Sequence, residues 1–211
     1  MRLAYPLVGV QSLRNPPEAE LWSTVDVDIV RDLNTFQKIV AVRAAVFMSE
    51  QSCPYDEEYD GNDLSGLHLL ASIKGEPVAT LRLRWFAGFG KIERVCALPG
   101  SRGSGAVKIM LAHALEIAAR KGYRMMLAQI QARLWPLWSK VFFATLRTDR
   151  PAFSFSDFDY QEMEIPVAEH PQTLTPYSDP YVLIRPEGEW DAPGILDVSS
   201  GRDATRTEEA A

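Results

Sequence analysis

The sequence predicts an α+β domain in which helices flank one central, mostly antiparallel sheet. Strand-like alternation of apolar and polar residues occurs once near the start, and then in three consecutive runs with short turns between them. Two helical patterns then alternate with further strand-like runs, which gives the order strand, helix, three strands, loop, helix, strand, helix, strand. That order is typical of an α+β layer arrangement with a single sheet.

The first part of this order is strand, helix and loop. Val25–Arg31 alternates apolar and acidic residues, which predicts a strand with one face in water. Asn34 or Thr35 is expected to cap a helix that runs to about Met48. The acidic segment 53–66 is rich in Asp and Gly, which predicts a loop without regular structure.

Three strand-like runs follow the loop: His68–Lys74, Pro77–Phe86 and Lys91–Leu98. Gly75-Glu76 is a hairpin signal between the first two, and Gly88 and Gly90 turn the chain into the third. We expect the last elements of the domain to be a helix, a buried strand, a helix with Pro136 in its first turn, and closing strands. These elements are Ala106–Lys121, Arg124–Ile130, Ala132–Phe143 and Phe153–Val167.

The chain divides into four predicted segments. An N-terminal extension covers 1–24 and the folded domain covers 25–167. A proline-rich arm over 168–198 is expected to pack on the domain. The tail over 199–211 is polar and poor in apolar residues, which predicts disorder.

Composition restricts the class of protein. A net charge of -6 and a pI near 5.2 do not indicate a nucleic-acid-binding surface. Cys53 and Cys96 lie far apart, in a spacing that fits neither a disulfide framework nor a metal site. No apolar run approaches the roughly 18 residues that a membrane span needs. We therefore expect a cytoplasmic protein with no membrane span and no nucleic-acid partner.

The charge is unevenly distributed along the chain. Between 101 and 150 there are nine basic residues and two acidic ones. This excess predicts a local site for an anion, such as a phosphate-bearing cofactor. The same excess is explained by a helix face that lies in water and whose charge is balanced by acidic residues elsewhere. Charge alone therefore leaves both interpretations open.

A glycine-rich loop opens the helix at 106, directly after a predicted strand. Backbone N–H groups at a helix start are unpaired and carry the positive end of the helix dipole. Glycines let this backbone approach a phosphate group closely. The residues that we expect at a pyrophosphate are Arg102, Gly103, Ser104, Gly105, Ala106 and Lys108.

The segment ERVCALPGSRGSGAVKIMLAHALEIAARKGYRMMLAQIQ resembles the core motif of GNAT N-acyltransferases, Arg/Gln-x-x-Gly-x-Gly/Ala. Arg102 and Gly105 match its first two positions, while Val107 stands where a small residue is usual. The resemblance implies the GNAT acyl-CoA N-acyltransferase fold, with acetyl-CoA or a longer acyl-CoA as cofactor. It also implies that the strand before the loop splays from its neighbour. The exposed backbone that would pair with pantetheine belongs to Cys96, Ala97 and Leu98.

The upstream run RAAVFMSEQ at 43–51, followed by Asp60 and Asp63, is similar to the ElaA-like branch of this superfamily. It is also similar to acyl-homoserine-lactone synthases and ornithine-lipid N-acyltransferases. The resemblance implies an acceptor-binding group made of Arg43, Phe47, Glu50, Asp60, Asp63 and Arg82. For Arg43 we favour the alternative, a buried ion pair beneath the sheet.

Amine acylation needs a base for the amine and an acid for the leaving thiolate. The resemblance implies Glu93 as the base, and the alternative is a strand glutamate paired with Arg94, Arg82 or Arg84. Trp138 stands where GNAT enzymes often carry a proton-donating tyrosine. Because an indole N–H is not a usable acid, another donor is required if the standard transfer takes place.

Three functions follow from these observations. The leading hypothesis is an N-acyltransferase, in particular an acetyltransferase, that moves an acyl group from acyl-CoA to a small-molecule amine. The second is a synthase of the homoserine-lactone or lipoamino-acid type, with acyl-carrier-protein phosphopantetheine as donor and the aromatic side chains of 135–155 as an acyl tunnel. The third is a catalytically degenerate GNAT domain used for interaction. The oligomeric state stays open, and a homodimer is one alternative.

Overall fold

The computed structural model describes residues 25–155 and 157–201. The predicted N-terminal extension and the last ten residues of the predicted tail lie outside the described residues. One sheet of eight strands runs through the domain in the order β1-β2-β3-β4-β5-β8-β6, with β7 paired to β8. The strands are β1 Val25–Ile29, β2 Leu67–Ile73, β3 Glu76–Phe86, β4 Phe89–Ala97, β5 Met125–Gln131, β6 Thr145–Leu146, β7 Phe153–Phe155 and β8 Phe158–Pro166.

Five α-helices accompany the sheet in the described ranges: α1 Leu33–Arg43, α2 Tyr55–Glu58, α3 Ala106–Arg120, α4 Trp135–Phe142 and α5 Pro180–Leu183. A π-helix, Ala44–Glu50, continues α1 directly. Every strand pair is antiparallel except β4 with β5. The predicted α+β class with a mostly antiparallel sheet is confirmed. None of the helices in the described ranges has the length and apolar character that crossing a bilayer requires.

The cap of the first helix and the turn between β2 and β3 lie at other residues than predicted, because neighbouring residues suit the local backbone better. The cap of α1 is Asp32, whose carboxylate accepts from the Thr35 N–H at 2.9 Å, so the expected caps at Asn34 and Thr35 are wrong by two or three positions. Ile73 pairs with Glu76, which makes Lys74-Gly75 the turn, and both have positive φ (54° and 83°). Two such residues are what a two-residue hairpin turn needs.

Two further predictions fail for packing reasons. Gly90 does not turn the chain but lies within β4, opposite Met126 of β5. A Cβ at Gly90 would come within 2.5 Å of the Met126 sulfur, so the glycine allows the two strands to approach each other. The segment 53–66 contains regular structure, namely α2 and a 3₁₀ turn over Asp63–Ser65. Three of its acidic side chains, Glu58, Asp60 and Asp63, form ion pairs with arginines of α1 and of the sheet.

The parallel pairing of β4 with β5 is short. It covers only three positions, Gly90 to Ile92, and β4 then continues to Ala97 without a partner on that side. Arg94 interrupts the strand with a φ of +51°, beside a register shift against β3. The two strands therefore separate into a V-shaped gap, here called the splay, that opens toward the carboxyl ends of both strands.

The helices lie on opposite faces of the sheet at the splay. Ile92 belongs to the main hydrophobic core together with Met110 and Ala114 of α3. Cys96 packs on the other face, against Val42 of α1 and Val46 of the π-helix. The splay is consequently bordered by α3 on one face, and by α1 with its π-helical extension on the other.

The arm after β8 packs at the far end of α3. Arg120 contacts Asp191 at 2.9 Å and Lys121 contacts Glu187 at 2.7 Å, while Trp190 is 8% exposed within the main core. Fifteen helical residues at about 1.5 Å each put this contact roughly 22 Å from the first residue of α3. The arm thus covers the carboxyl end of α3 rather than its glycine-rich start.

Candidate active site

The start of α3 has the geometry of an anion site. Gly105 takes the N-cap position with a φ of +83°, and Gly103 has the same φ, values that other residues adopt only with strain. The fifteen-residue helix directs the N–H groups of its first turn, which have no partner within the helix, and its positive dipole end toward the loop. The Ala106 N–H lies 3.3 Å from the Ser104 hydroxyl oxygen. Lys108 lies in the first turn of the helix.

The predicted pantetheine strand lies beside this loop. Ala97 ends the part of β4 that has no β5 partner, and Leu98 donates its N–H to the Val78 carbonyl on the β3 side at 2.9 Å. The Cys96 side chain is buried on the α1 face, and burial raises the pKa of its thiol. The thiol therefore stays protonated, and the backbone, not the side chain, is what this strand presents to the splay.

Arg102 makes a contact that the sequence did not reveal. One Nη lies 2.5 Å from a carboxylate oxygen of Glu50, the last residue of the π-helix. The hydrogen bond from Arg102 lowers the pKa of Glu50 below its ordinary value. Both side chains are well exposed, at 48% and 37%, so this is a surface pair of small net strength. It joins the loop predicted to bind the cofactor to the segment predicted to bind the acceptor.

Seven charged side chains form a buried charge network between α1 and the sheet: Arg43, Glu58, Asp60, Asp63, Arg82, Glu93 and Arg94. The guanidinium groups of Arg43 and Arg82 are 0% exposed. Arg43 contacts Glu58 at 2.5 Å and Asp63 at 2.7 Å. This geometry favours the ion-pair alternative for Arg43, because a side chain without exposed surface does not reach an acceptor unless the network rearranges.

Arg82 holds three carboxylates at once. Its nitrogens lie 2.6 Å from Asp60, 2.7 Å from Asp63 and 2.7 Å from Glu93. Arg94 adds hydrogen bonds to the Glu57 and Glu58 carbonyl oxygens. These bonds hold the 53–66 segment against the sheet at the point where Arg94 interrupts β4. The acceptor roles predicted for Asp60, Asp63 and Arg82 stay predictions, and the contacts that these side chains make are with other residues of the chain.

Glu93 is a poorly placed base in this arrangement. Its carboxylate accepts from Arg82 and lies 2.9 Å from the Lys91 ammonium group and 3.6 Å from Arg84. Burial alone would raise the pKa of Glu93, but the hydrogen bond and charge of Lys91, with the charge of Arg82, hold it below its ordinary value. The geometry favours the paired alternative, although with Lys91 and Arg82 as the main partners. The base role stays a prediction.

This network makes the stability of the fold sensitive to acid. Burial opposes ionisation of Asp60, Asp63 and Glu93, yet hydrogen bonds and charges from neighbouring Arg or Lys side chains hold the pKa of each below its ordinary value. At these three carboxylates the unfolded chain therefore takes up protons at a higher pH than the folded chain, whereas Glu58 of the same network, whose pKa burial raises, contributes in the opposite direction and is outnumbered. We expect the free energy of unfolding to fall as the pH drops below about 4. Urea unfolding between pH 7 and pH 3 measures this, and a level midpoint would contradict it.

A second polar group lies where the splay opens on the α1 face, here called the mouth: Gln51, Gln131, Arg133 and Tyr160. Gln131 ends β5 and pairs in register with Tyr160 of β8. Its amide donates to the Gln51 side chain at 3.2 Å and accepts from the Arg133 Nε at 2.8 Å. Sequence reasoning missed the mouth because its members come from separate elements that only the sheet order brings together.

The helix after β5 offers no hydroxyl at the expected donor position. Trp138 is 5% exposed and belongs to the main core, with its ring 5.6 Å from that of Phe142. Phe143, by contrast, is 69% exposed and has a φ of +53°. The aromatic residues of 135–155 therefore divide between core and surface. Tyr160, which is half-buried at the mouth, carries a hydroxyl group close to the splay.

Residues 30–142 match the Acetyltransferase (GNAT) family. The match covers more than half of the chain, and the chain belongs to this family. It is 31% identical over 99 residues to the uncharacterized N-acetyltransferase YjcF of Bacillus subtilis (strain 168), which is 47% of this chain and 71% of YjcF. It is 40% identical over 84 residues to another protein of that strain, which is named as a candidate acetyltransferase. That match covers 38% of this chain but only 55% of the other protein.

Solved structures show the same fold. An acyl-CoA N-acyltransferase from Pseudomonas aeruginosa is 26% identical, with a TM-score of 0.60 over 67% of this chain and 99% of that one. Escherichia coli ElaA is 21% identical, also with a TM-score of 0.60, over 67% of this chain and 99% of ElaA. The likeness to ElaA shows a shared fold, and membership of the ElaA-like branch stays a prediction. About a third of this chain lies outside the part that these structures share.

Proposed function

We propose that this protein is an acyl-CoA-dependent N-acyltransferase, in particular an acetyltransferase, that acts on the amine of a small molecule. The observation that carries the proposal is the splay with the α3 start beside it. An unpaired strand backbone and a helix N-terminus with two left-handed glycines stand next to each other, as a pantetheine arm and its diphosphate require. Family membership supports the reaction type.

In the proposed complex, each part of the site has a limited task. The diphosphate would lie against the loop over 102–106, and the β4 backbone near Ala97 would hold the pantetheine. The cofactor supplies the activated thioester. Acylation of an amine would break the carbon–sulfur bond of this thioester, and the proton that the amine nitrogen loses would balance the proton that the CoA thiolate takes up. The splay would leave the thioester open to an acceptor on the α1 face.

The test is calorimetric titration with acetyl-CoA, a long-chain acyl-CoA and acyl-carrier protein at fixed ionic strength. We expect acetyl-CoA to bind, and Arg102→Glu to weaken binding by at least about 100-fold, because the change replaces an attractive charge with a repulsive one beside the diphosphate. Lys74→Glu, a change of the same sign in the β2–β3 turn, is the matched control and should leave the affinity unchanged.

Each outcome of this titration has a distinct meaning. Unchanged acetyl-CoA affinity in Arg102→Glu would contradict the proposed diphosphate site. Preference for the long chain or for acyl-carrier protein would favour the synthase alternative over the acetyltransferase. If none of the three donors binds, the proposal fails and the interaction-domain alternative gains support.

A further inference from the structure

Four aromatic side chains of the β7–β8 hairpin lie on the same face of the sheet. The strand register pairs Phe153 with Tyr160. It also pairs Phe155 with Phe158, and side chains that pair across two antiparallel strands share a face. Tyr160 pairs in addition with Gln131 of β5. The preceding residue of β5 belongs to the main core on the α3 side, so Gln131 and the four aromatic side chains lie on the α1 face.

Three of these rings form a cluster, here called the aromatic wall: Phe153, Phe155 and Tyr160. The Tyr160 ring lies 5.9 Å from the Phe153 ring, at an interplanar angle of 24°, and 5.7 Å from the Phe155 ring, at 89°. The Phe155 ring in turn lies 5.9 Å from the guanidinium carbon of Arg94. Because Arg94 belongs to β4, which lies across the splay from β8, the aromatic wall borders the splay on the α1 face. Phe153 is still 37% exposed.

The aromatic wall stands at the reacting end of the proposed site. With the diphosphate at the loop over 102–106, the pantetheine would follow the unpaired backbone of β4 back toward Ile92, where the pairing with β5 stops. The five residues 93–97 span at most roughly 16 Å at about 3.3 Å each. The thioester, at the tip of the pantetheine, would therefore lie toward Arg94 and away from the glycine-rich loop.

A carboxylate lies beside the same arginine. Asp60 is 3.1 Å from the Arg94 guanidinium group, and at 27% it has the most exposed side chain of the buried charge network. Burial opposes its ionisation, but hydrogen bonds from Arg82 and from the Asn62 N–H hold the pKa of Asp60 below its ordinary value. Asp60 and Phe155 thus contact one guanidinium group. An amine is attracted both by a carboxylate and by the face of an aromatic ring.

We infer that the acceptor is a primary amine that carries an aromatic ring, with the ring packed on the aromatic wall and the amine directed toward Asp60. The inference rests on the proposed function and names the class of its acceptor. It assigns binding to side chains that have exposed surface, whereas Arg43 and Arg82 have none. Packing of a flat ring against Phe155 and Tyr160 provides the specificity, since aromatic pairs favour each other beyond the area that they bury.

The experiment measures acetyl transfer by the full chain. Each acetyl group that passes from sulfur to nitrogen releases one CoA thiol, which is counted above the rate without amine. Benzylamine is compared with methylamine, and 2-phenylethylamine with ethylamine, so the members of a pair differ by the ring. The measured quantity is the ratio of the two kcat/KM values within a pair. The difference in basicity between the two amines is the same for every protein variant and cancels when variants are compared.

Phe155→Ala is expected to lower this ratio about 10-fold for at least one pair, because ring surface that packs on the acceptor is lost. Phe153→Ala should lower the same ratio, and it decides the outcome if Phe155→Ala loses affinity for acetyl-CoA. Phe86→Ala is the matched control. Phe86 is a half-buried aromatic residue stacked on Phe89 at 5.0 Å, in the hairpin at the opposite end of β4. It should keep both the ratio and the acetyl-CoA affinity.

Three results would overturn the inference. One is the absence of transfer to both ring-bearing amines, or a ratio near one for both pairs, in a chain that binds acetyl-CoA. Another is a ratio that neither Phe155→Ala nor Phe153→Ala changes. The last is an equal fall of the ratio in Phe86→Ala. Failure of the proposed function itself is seen separately, because the unaltered chain would then not bind acetyl-CoA.

Discussion

Replacing Arg82 with methionine is expected to lower the free energy of unfolding by about 3–5 kcal/mol. Methionine fills much of the space of the arginine stem but provides no positive charge. Asp60, Asp63 and Glu93, which now lie within 2.7 Å of the guanidinium group, would face one another around an apolar side chain. The large cost arises because the charges left behind are buried and lose their main common partner.

Arg84→Met is the matched control for this experiment. Arg84 lies two residues further along β3, is 25% exposed, and contacts only Glu93 in the network, at 3.6 Å. We expect its replacement to cost about 0–1 kcal/mol. Urea unfolding of both variants at pH 7 measures the difference. If Arg82→Met unfolds at the same urea concentration as Arg84→Met, the buried charge network does not stabilise the fold.

Replacing Trp190 with alanine is expected to cost about 3–5 kcal/mol, the range for a buried tryptophan, and to release the arm from α3. The indole is 8% exposed in the main core, and ion pairs at Arg120 and Lys121 hold the chain on either side of it. Acetyl-CoA affinity at a temperature where the variant is folded should stay within about twofold. The reason is that the ion pairs of Arg120 and Lys121 hold this part of the arm at the carboxyl end of α3, roughly 22 Å from the start of the helix.

Tyr177→Ala provides the control, since Tyr177 lies in the same arm and is 96% exposed. It should change stability by no more than about 0.5 kcal/mol. Thermal unfolding and calorimetry with acetyl-CoA together give both readouts. A Trp190→Ala variant that stays as stable as the unaltered chain would show that the arm is not anchored through this residue. Loss of acetyl-CoA binding in a folded variant would show instead that the arm supports the site.

The sequence predicted the fold because its periodic patterns are local. The α3 helix begins at the predicted Ala106 and ends one residue early, and β3 starts one residue before the predicted Pro77. The failures occurred where a single residue decides the geometry. Asp32 outcompeted two other capping residues, and Gly90 stayed in a strand because it lies opposite Met126.

The candidate site was less accessible to sequence reasoning than the fold. The glycine loop is contiguous, so its spacing identifies it. The acceptor side depends on distant pairs such as Glu50 with Arg102 and Gln51 with Gln131, which are 52 and 80 residues apart. The sequence also does not show that Arg82 is buried. The charge of Arg82 favours a binding role until the fold shows that carboxylates of the chain already surround it, whereas for Arg43 the sequence already favours a buried ion pair.

The splay has one further consequence, for the behaviour of the chain without its ligand. Beyond Ile92, the side of β4 that faces β5 has no partner, because β5 has turned away. This part of β4 therefore has the free edge of a border strand although it lies inside the sheet. Unpaired strand edges invite pairing with other extended chains, which natural proteins usually block. If pantetheine fills this gap, it acts as a removable strand. Resistance to unfolding and to self-association would then increase together with the concentration of the cofactor.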